Sequence, residues 1–390
     1  MLWLLRAAFA ALQLLVASLA LRKPPHKLLW YVRIGVTEWG YWLAPLLVAP
    51  LLPAWRRLLG APLAIGGAMA AALAGAPLVR ALLIARTLPR EVERAFGGAA
   101  PIDRPAAPGR PAPLVFADLV RGLPAPGVTV DRMPYVTRDD REYALDLYRP
   151  RERMSALPLV LVIHGGAWEG GDNRQLPELN RYFAARGYAV AAINYRLAPQ
   201  YRFPAPTDDA AAAIAFLRAH ADALQIDAGR VALIGRSAGG HIALHAAYTL
   251  GDPAIRAVAA FYAPTDMHYG YANPANPAVI DTHGVMTRFL GGAPHEIPDV
   301  YDAASPVNFV GPTTPPTLCI HGDLDEMVFP PNSRMLAQRL LAHGRPHLLL
   351  ALPWGAHGCD ANLCGPAGQL SVYAIERLLA ATLSSAEQTG

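Results

Sequence analysis

Gly235-Arg236-Ser237-Ala238-Gly239 follows directly on the apolar run Val231-Ala232-Leu233-Ile234, and no other segment restricts the fold as tightly. A buried strand turns here into a helix, with a small residue two positions before and two positions after a serine. Such a turn is so sharp that flanking side chains must nearly vanish, which leaves the central hydroxyl exposed at the top of a sheet. In a chain rich in glycine and alanine the pattern alone arises by chance. Two further segments give it weight. Ile163-His164-Gly165-Gly166-Ala167-Trp168 lies upstream, and His321-Gly322-Asp323-Leu324-Asp325 with a late His357 lies downstream.

From Val128 onward, strand-like and helix-like patterns take turns. Val128–Val136 and Tyr143–Tyr148 flank Arg138-Asp139-Asp140-Arg141 and predict an antiparallel hairpin. Predicted strands over 159–163, 188–193, 231–234, 257–261, 317–320 and 347–352 are separated by predicted helices over 176–186, 208–220, 238–250, 332–343 and 369–382. Short, continuous apolar strands between amphipathic helices imply an α/β class, with a mostly parallel sheet covered by helices on both faces. The span 128–383, about 260 residues, is long enough for such a sheet to bury its own core. Residues 264–298 interrupt the alternation with Tyr269, Tyr271, Met286 and Phe289.

With these motifs in place, residues 128 to 383 resemble an α/β-hydrolase of the esterase/lipase (carboxylesterase) group, whose members carry H-G-G-x-W and G-x-S-A-G-G-H. Bacterial membrane-attached esterases and isoprenylcysteine methylesterase-like enzymes share this layout. Asn194-Tyr195-Arg196-Leu197-Ala198-Pro199 and Phe203-Pro204-Ala205 also resemble the hormone-sensitive-lipase branch. Ala167 departs from that branch, which often has a third glycine there, and Arg236 stands where it often has aspartate. The resemblance implies a serine hydrolase that cleaves carboxylic esters through an acyl-enzyme, with no cofactor and no metal. It also implies that 264–298 is a cap over the acyl pocket, whose apolar content suits an apolar substrate portion.

The chemistry sets which groups are needed, and the resemblance implies which residues supply the base and the acid. An alcohol is almost fully protonated near neutral pH, so Ser237 needs a positioned base to attack an acyl carbon. The resemblance places that base at His357, in the loop after the last strand. Asp325 is the expected acid, orienting the imidazole, and Asp323 is its competitor. The order Ser237, Asp325, His357 along the chain agrees with this fold. Charge developing on the substrate carbonyl oxygen calls for rigid, pre-oriented N–H donors. Those of Gly165, Gly166 and Ala238 are expected to form the oxyanion hole. A non-catalytic binding protein of the same fold is the rival from another class; lipase, deacetylase and acyltransferase activities would use the same residues.

Other polar residues carry blander expectations. His241 and His245, four apart on one helix, resemble a ligand pair, but no third ligand accompanies them and a structural role is expected. His164 and His321 are expected to brace their loops, and Asp208 and Asp209 to open a helix favourably. Trp168 either lines the entrance or packs in the core. Cys319 falls in a predicted buried strand. Cys359 and Cys364 either close a small disulfide loop or remain free thiols.

The front of the chain has a different character. Residues 1–94 hold eleven Lys/Arg against three Asp/Glu, a charge of +8, while the remainder carries −4. Cations flanking apolar stretches favour lipid headgroups as partners and argue against nucleic acid. Three stretches stand out: Ala7–Leu21, Trp39–Trp55 and Leu58–Val79. A span of the hydrocarbon core needs about 20 apolar residues, so the third is the best-formed. Residues 1–94 are thus expected to be a helical membrane-anchoring region with up to three spans joined tightly at Arg56-Arg57, sidedness left open. Residues 95–127, rich in proline, predict either an extended spacer or an arm wrapped on the domain. Residues 384–390 read as a tail. The oligomeric state is not readable.

Overall fold

The computed structural model describes residues 2–48, 52, 61–98, 109–152 and 155–384. Three helices lead: α1 (Leu2–Ser18), α2 (Lys27–Val48) and α3 (Ala61–Phe96), followed by the single turn α4 (Asp118–Arg121). The α/β part then runs β1 (Val128–Arg138), β2 (Arg141–Pro150), β3 (Leu157–Ile163), α5 (Pro177–Ala184), β4 (Ala189–Ile193), α6 (Ala205–Ala219), α7 (Ala221–Leu224), β5 (Ile226–Arg236), α8 (Ala238–Thr249) and β6 (Ile255–Phe261). After β6 come α9 (Met267–Ala272), α10 (Thr282–Leu290), α11 (Pro298–Ala303), β7 (Thr317–Gly322), α12 (Pro331–Ala342), β8 (His347–Leu352) and α13 (Pro366–Leu383).

The eight strands form one sheet in the order β1-β2-β4-β3-β5-β6-β7-β8. Only β2 runs against the rest, pairing antiparallel with both β1 and β4. Strand β3 lies between β4 and β5, parallel to each. The chain thus leaves β3 toward one edge and later returns to its other side. This is a switch point, and the crevice beyond the carboxyl ends of β3 and β5 is where such a sheet takes a ligand.

Both faces of the sheet are buried because successive side chains alternate. Leu159, Leu161, Ile163 and Leu233 pack with Ile214, Leu217, Ile242 and Leu336 on one face. Val160, Val162, Ala232 and Ile234 pack with Tyr182, Phe183, Leu370, Ile375 and Leu379 on the other. Strand β5 extends beyond the predicted 231–234 to Ile226–Arg236, because backbone pairing with β3 continues past the apolar run.

The front helices differ from the hydropathy pattern in an instructive way. Helix α2 begins at Lys27, twelve residues before the apolar stretch at Trp39, and it includes Arg33 and Glu38, both fully buried. Their surroundings are protein, which hydropathy alone does not register. Helix α3 continues well past Val79; Ala81, Leu88 and Val92 join the core on the α13 face of the sheet. Burial of Leu88 and Val92 contributes roughly 1.5–3 kcal/mol each. Leu63–Phe96 is the one helix among the described residues that is long and apolar enough to cross a membrane. Leu4, Phe9, Leu12, Leu15, Ile65 and Met69 on α1 and α3 are exposed. The Arg56-Arg57 connection and residues 99–108 of the proline-rich segment lie outside the described residues. From residue 109 the proline-rich segment is an arm on the domain. The Arg110 guanidinium donates to Asp118 (2.8 Å) and Gln369 (2.5 Å), and its backbone N–H donates to Glu376.

Candidate active site

The turn at Ser237 has the strain its sequence demands. Ser237 sits at φ 53° and ψ −120°, a region that L-residues rarely adopt. A Cβ on Gly235 would overlap the backbone of Gly239, and one on Gly239 would overlap the carbonyls of Ile163 and His164. The serine is held in place by its own N–H, which donates to Phe261 O at 2.9 Å.

His357, 8 % exposed, reaches Ser237 from the loop between β8 and α13. Its Nδ1 stands 2.9 Å from Asp325 Oδ2 and its Nε2 stands 3.0 Å from Ser237 Oγ. A carboxylate only accepts, so Nδ1–H donates to it, and Nε2 of the neutral ring accepts from the hydroxyl. Burial alone would push His357 down, yet the charge and hydrogen bond of Asp325 leave it above the ordinary imidazole value. Asp325 is fully buried in the loop after β7. Burial opposes its charge, but His357 and His321 outweigh that and hold its carboxyl well below the usual carboxylate range. The other oxygen, Oδ1, accepts from the backbone N–H groups of Met327 and Val328 at 2.8 and 2.9 Å. Asp323, the competitor, instead takes Arg334 at 2.7 Å on the surface.

Of the three expected oxyanion donors, Gly165 has a hydrogen-bond partner within the protein. Its N–H already donates to Gln175 Oε1 at 2.8 Å, so it braces the loop. Glycine is needed there because a Cβ would stand 2.9 Å from Arg236 O and 3.3 Å from Ser237 Cβ. Gly166, at φ 131°, and Ala238, at the start of α8, remain. Ala167 at φ 54° lines the cavity beside Ser237 and Ala238, a position that the sequence reading marked only as a departure from the related branch.

The cavity, about 570 Å³ and partly open to solvent, is lined by Trp168, Ile280, Val285, Met286, Met327 and Phe329 together with Ser237 and His357. Residues from 270 to 286 come from the predicted cap, built here as α9 and α10. Trp168 fills both of its expected roles. It lines the cavity, stacks on Phe289 at 4.4 Å between centroids and donates Nε1–H to His241 Nδ1 at 3.1 Å. His241 Nε2 therefore carries the proton and donates to Ala304 O at 2.7 Å. Burial and the neighbouring His245 push His241 down to about 3, so it stays neutral while tying the end of α11 to α8. His245 bonds Ala303 O in the same way. His321 braces the acid loop through Ser333 and Val328. Arg236 forms a buried ion pair with Asp360, which also accepts from Tyr262 Oη at 2.5 Å. Cys319, Cys359 and Cys364 are all free, so the small disulfide loop is not formed.

A family model described as BD-FAE matches residues 145–340. The chain belongs to the BD-FAE family. That match takes in β2 to α12, hence Ser237 and Asp325, and ends before His357. Among curated relatives of this BD-FAE chain, esterase LipC of Mycobacterium tuberculosis is 30% identical over 249 residues, covering 59% of this chain and 60% of LipC. Ethyl acetate hydrolase of Pseudomonas putida is 39% identical over 117 residues, 29% of this chain and 37% of that protein. The chain spans about 60% of LipC and 55% and 57% of the esterase LipQ and the probable carboxylic ester hydrolase LipM from the same organism. A solved bacterial heroin esterase superposes with a TM-score of 0.58 at 24% identity, over 77% of this chain and 99% of that one. That likeness establishes the α/β-hydrolase fold.

Proposed function

We propose that this protein is a membrane-attached serine hydrolase that cleaves carboxylic esters through a Ser237–His357–Asp325 triad. The observation that carries this reading is the continuous hydrogen-bonded chain from the Ser237 hydroxyl through His357 to Asp325, at 3.0 and 2.9 Å, with Ser237 and His357 lining a largely apolar cavity. Membership of the BD-FAE family and the esterase names of the relatives support it.

The chemistry runs in two halves. As Ser237 Oγ attacks the acyl carbon, its proton passes to His357 Nε2, and Asp325 stabilises the resulting imidazolium. The N–H groups of Gly166 and Ala238 are the candidate donors to the oxyanion, and collapse of the tetrahedral species expels the alcohol with the proton from His357. Water then repeats the sequence on the acyl-enzyme.

Val285, Met286, Ile280 and Phe329 suit an apolar acyl or alcohol portion, so a lipid-like ester is the proposed substrate class. The apolar length of Leu63–Phe96 and the exposed apolar residues of α1 support attachment to a bilayer. A fluorophosphonate probe should label the protein and abolish its hydrolysis of p-nitrophenyl esters in parallel. Labelling that persists in Ser237→Ala would refute the assignment. Extraction of the protein from membranes by alkaline carbonate would refute the attachment.

A further inference from the structure

Helix α2 lies outside the family match, yet its face at Trp30, Arg33, Ile34, Glu38 and Tyr41 is packed on the two loops that carry Asp325 and His357. The spacing of three and four residues puts these side chains on one side of the helix. Arg33 is fully buried, and its Nη1 donates both to Glu326 Oε2 at 2.8 Å and to Leu324 O at 2.9 Å. Those two residues bracket Asp325. Trp30 Nε1–H donates to His357 O at 3.1 Å. A Cβ on the next residue, Gly358, would stand 3.4 Å from Ile34 and 3.6 Å from Trp30. One turn further along, Asn362 Nδ2 donates to Glu38 O at 2.8 Å. A single helix from the front of the chain thus grips the acid loop on one side and the base loop on the other.

The charge arrangement explains why an arginine is used. Glu326 adjoins Asp325 in sequence and is 4 % exposed, so two carboxylates share a poorly hydrated place. Burial pushes the Glu326 carboxyl up to about 7; Asp325 adds to that, and Arg33 opposes it. Without a cation at this point, the Glu326 side chain would have to turn toward water or take up a proton. Protonation discards the ion pair that anchors the loop, and turning toward water pulls on the peptide that sets the Asp325 oxygens; hydrogen-bonded catalytic groups tolerate little displacement.

We propose that Arg33 and Trp30 are positioning residues for the acid and base loops, which makes α2 a working part of the catalytic unit. This inference rests on the serine-hydrolase reading above. Neither side chain lines the cavity, so their removal should change turnover and leave substrate binding nearly untouched.

The test uses the full chain in detergent micelles with p-nitrophenyl butyrate, and kcat is expressed per site titrated to completion with a fluorophosphonate. Arg33→Met is expected to lower kcat about tenfold or more with KM within about twofold of wild type. Arg33→Lys, which returns a cation to Glu326, should recover most of that loss. Trp30→Phe keeps an aromatic ring but loses the donor to His357 O, and should lower kcat about threefold. A kcat near the wild-type value in Arg33→Met overturns the inference, as does a loss carried by KM. Should Arg33→Met not fold, a wild-type kcat in Trp30→Phe overturns it alone. Failure of the underlying reading looks different: the wild-type protein would be inactive on esters, or Ser237→Ala would be as active as wild type.

Discussion

Gly239 lies so close under the end of β3 that a Cβ placed on it would overlap the carbonyl oxygen of Ile163. The helix after Ser237 therefore meets the neighbouring strand backbone to backbone. That contact aims α8, and with it the Ala238 N–H, at the crevice where β3 and β5 end.

Gly239→Ala should consequently be a severe change despite adding one methyl group. The atoms in its way are backbone, which cannot swing aside, and a cost of about 3 kcal/mol or more is expected. Thermal unfolding and fluorophosphonate labelling check it together. A variant with the wild-type melting temperature and labelling rate would refute the crowding argument.

Asp325 and Asp323 are two residues apart and face different surroundings. Asp325→Asn leaves the shape of the loop intact but removes the charge that orients His357, and kcat should fall about 10³- to 10⁴-fold. Asp323→Asn breaks only an exposed pair with Arg334, 31 % and 54 % exposed, so kcat/KM should remain within about twofold. Similar losses in both variants would contradict the assignment of the acid.

The pH profile follows from the direction of the His357 shift. In the proposed mechanism the base must be neutral to accept the Ser237 proton, and Asp325 holds the imidazole above its ordinary value against the opposing effect of burial. Activity is therefore full above the raised value and falls as pH drops through it. The acid limb of kcat/KM should lie above about 6.5. In Asp325→Asn the residual activity should have its limb at lower pH, because burial then acts with less opposition. A wild-type limb well below 6 would contradict this environment for His357.

Met286 projects from α10 into the cavity beside Val285 and Ile280. Met286→Trp should fill that space, lowering kcat/KM for p-nitrophenyl octanoate about tenfold while leaving the acetate within about threefold. Rates measured along an ester series from acetate to octanoate provide the check. An unchanged chain-length profile would mean that the acyl group lies elsewhere.

The residue sequence by itself determined the alternation of apolar strands and amphipathic helices, and the small residues around Ser237. Both are local: the first is a period along the chain, the second a steric limit within five residues. Asp325 and His357 were readable only by family resemblance, since nothing local distinguishes Asp325 from Asp323 until Arg334 and His357 are seen to take one each. Tertiary structure decided what depends on distant backbone. It gave the Gly165 N–H to Gln175, left Cys359 and Cys364 as free thiols, and put Arg33 against Glu326 across 293 positions of sequence. Hydropathy averages a helix over its whole circumference. It therefore registered the exposed apolar faces of the front helices and missed the narrow stripe by which α2 packs on the loops carrying Asp325 and His357.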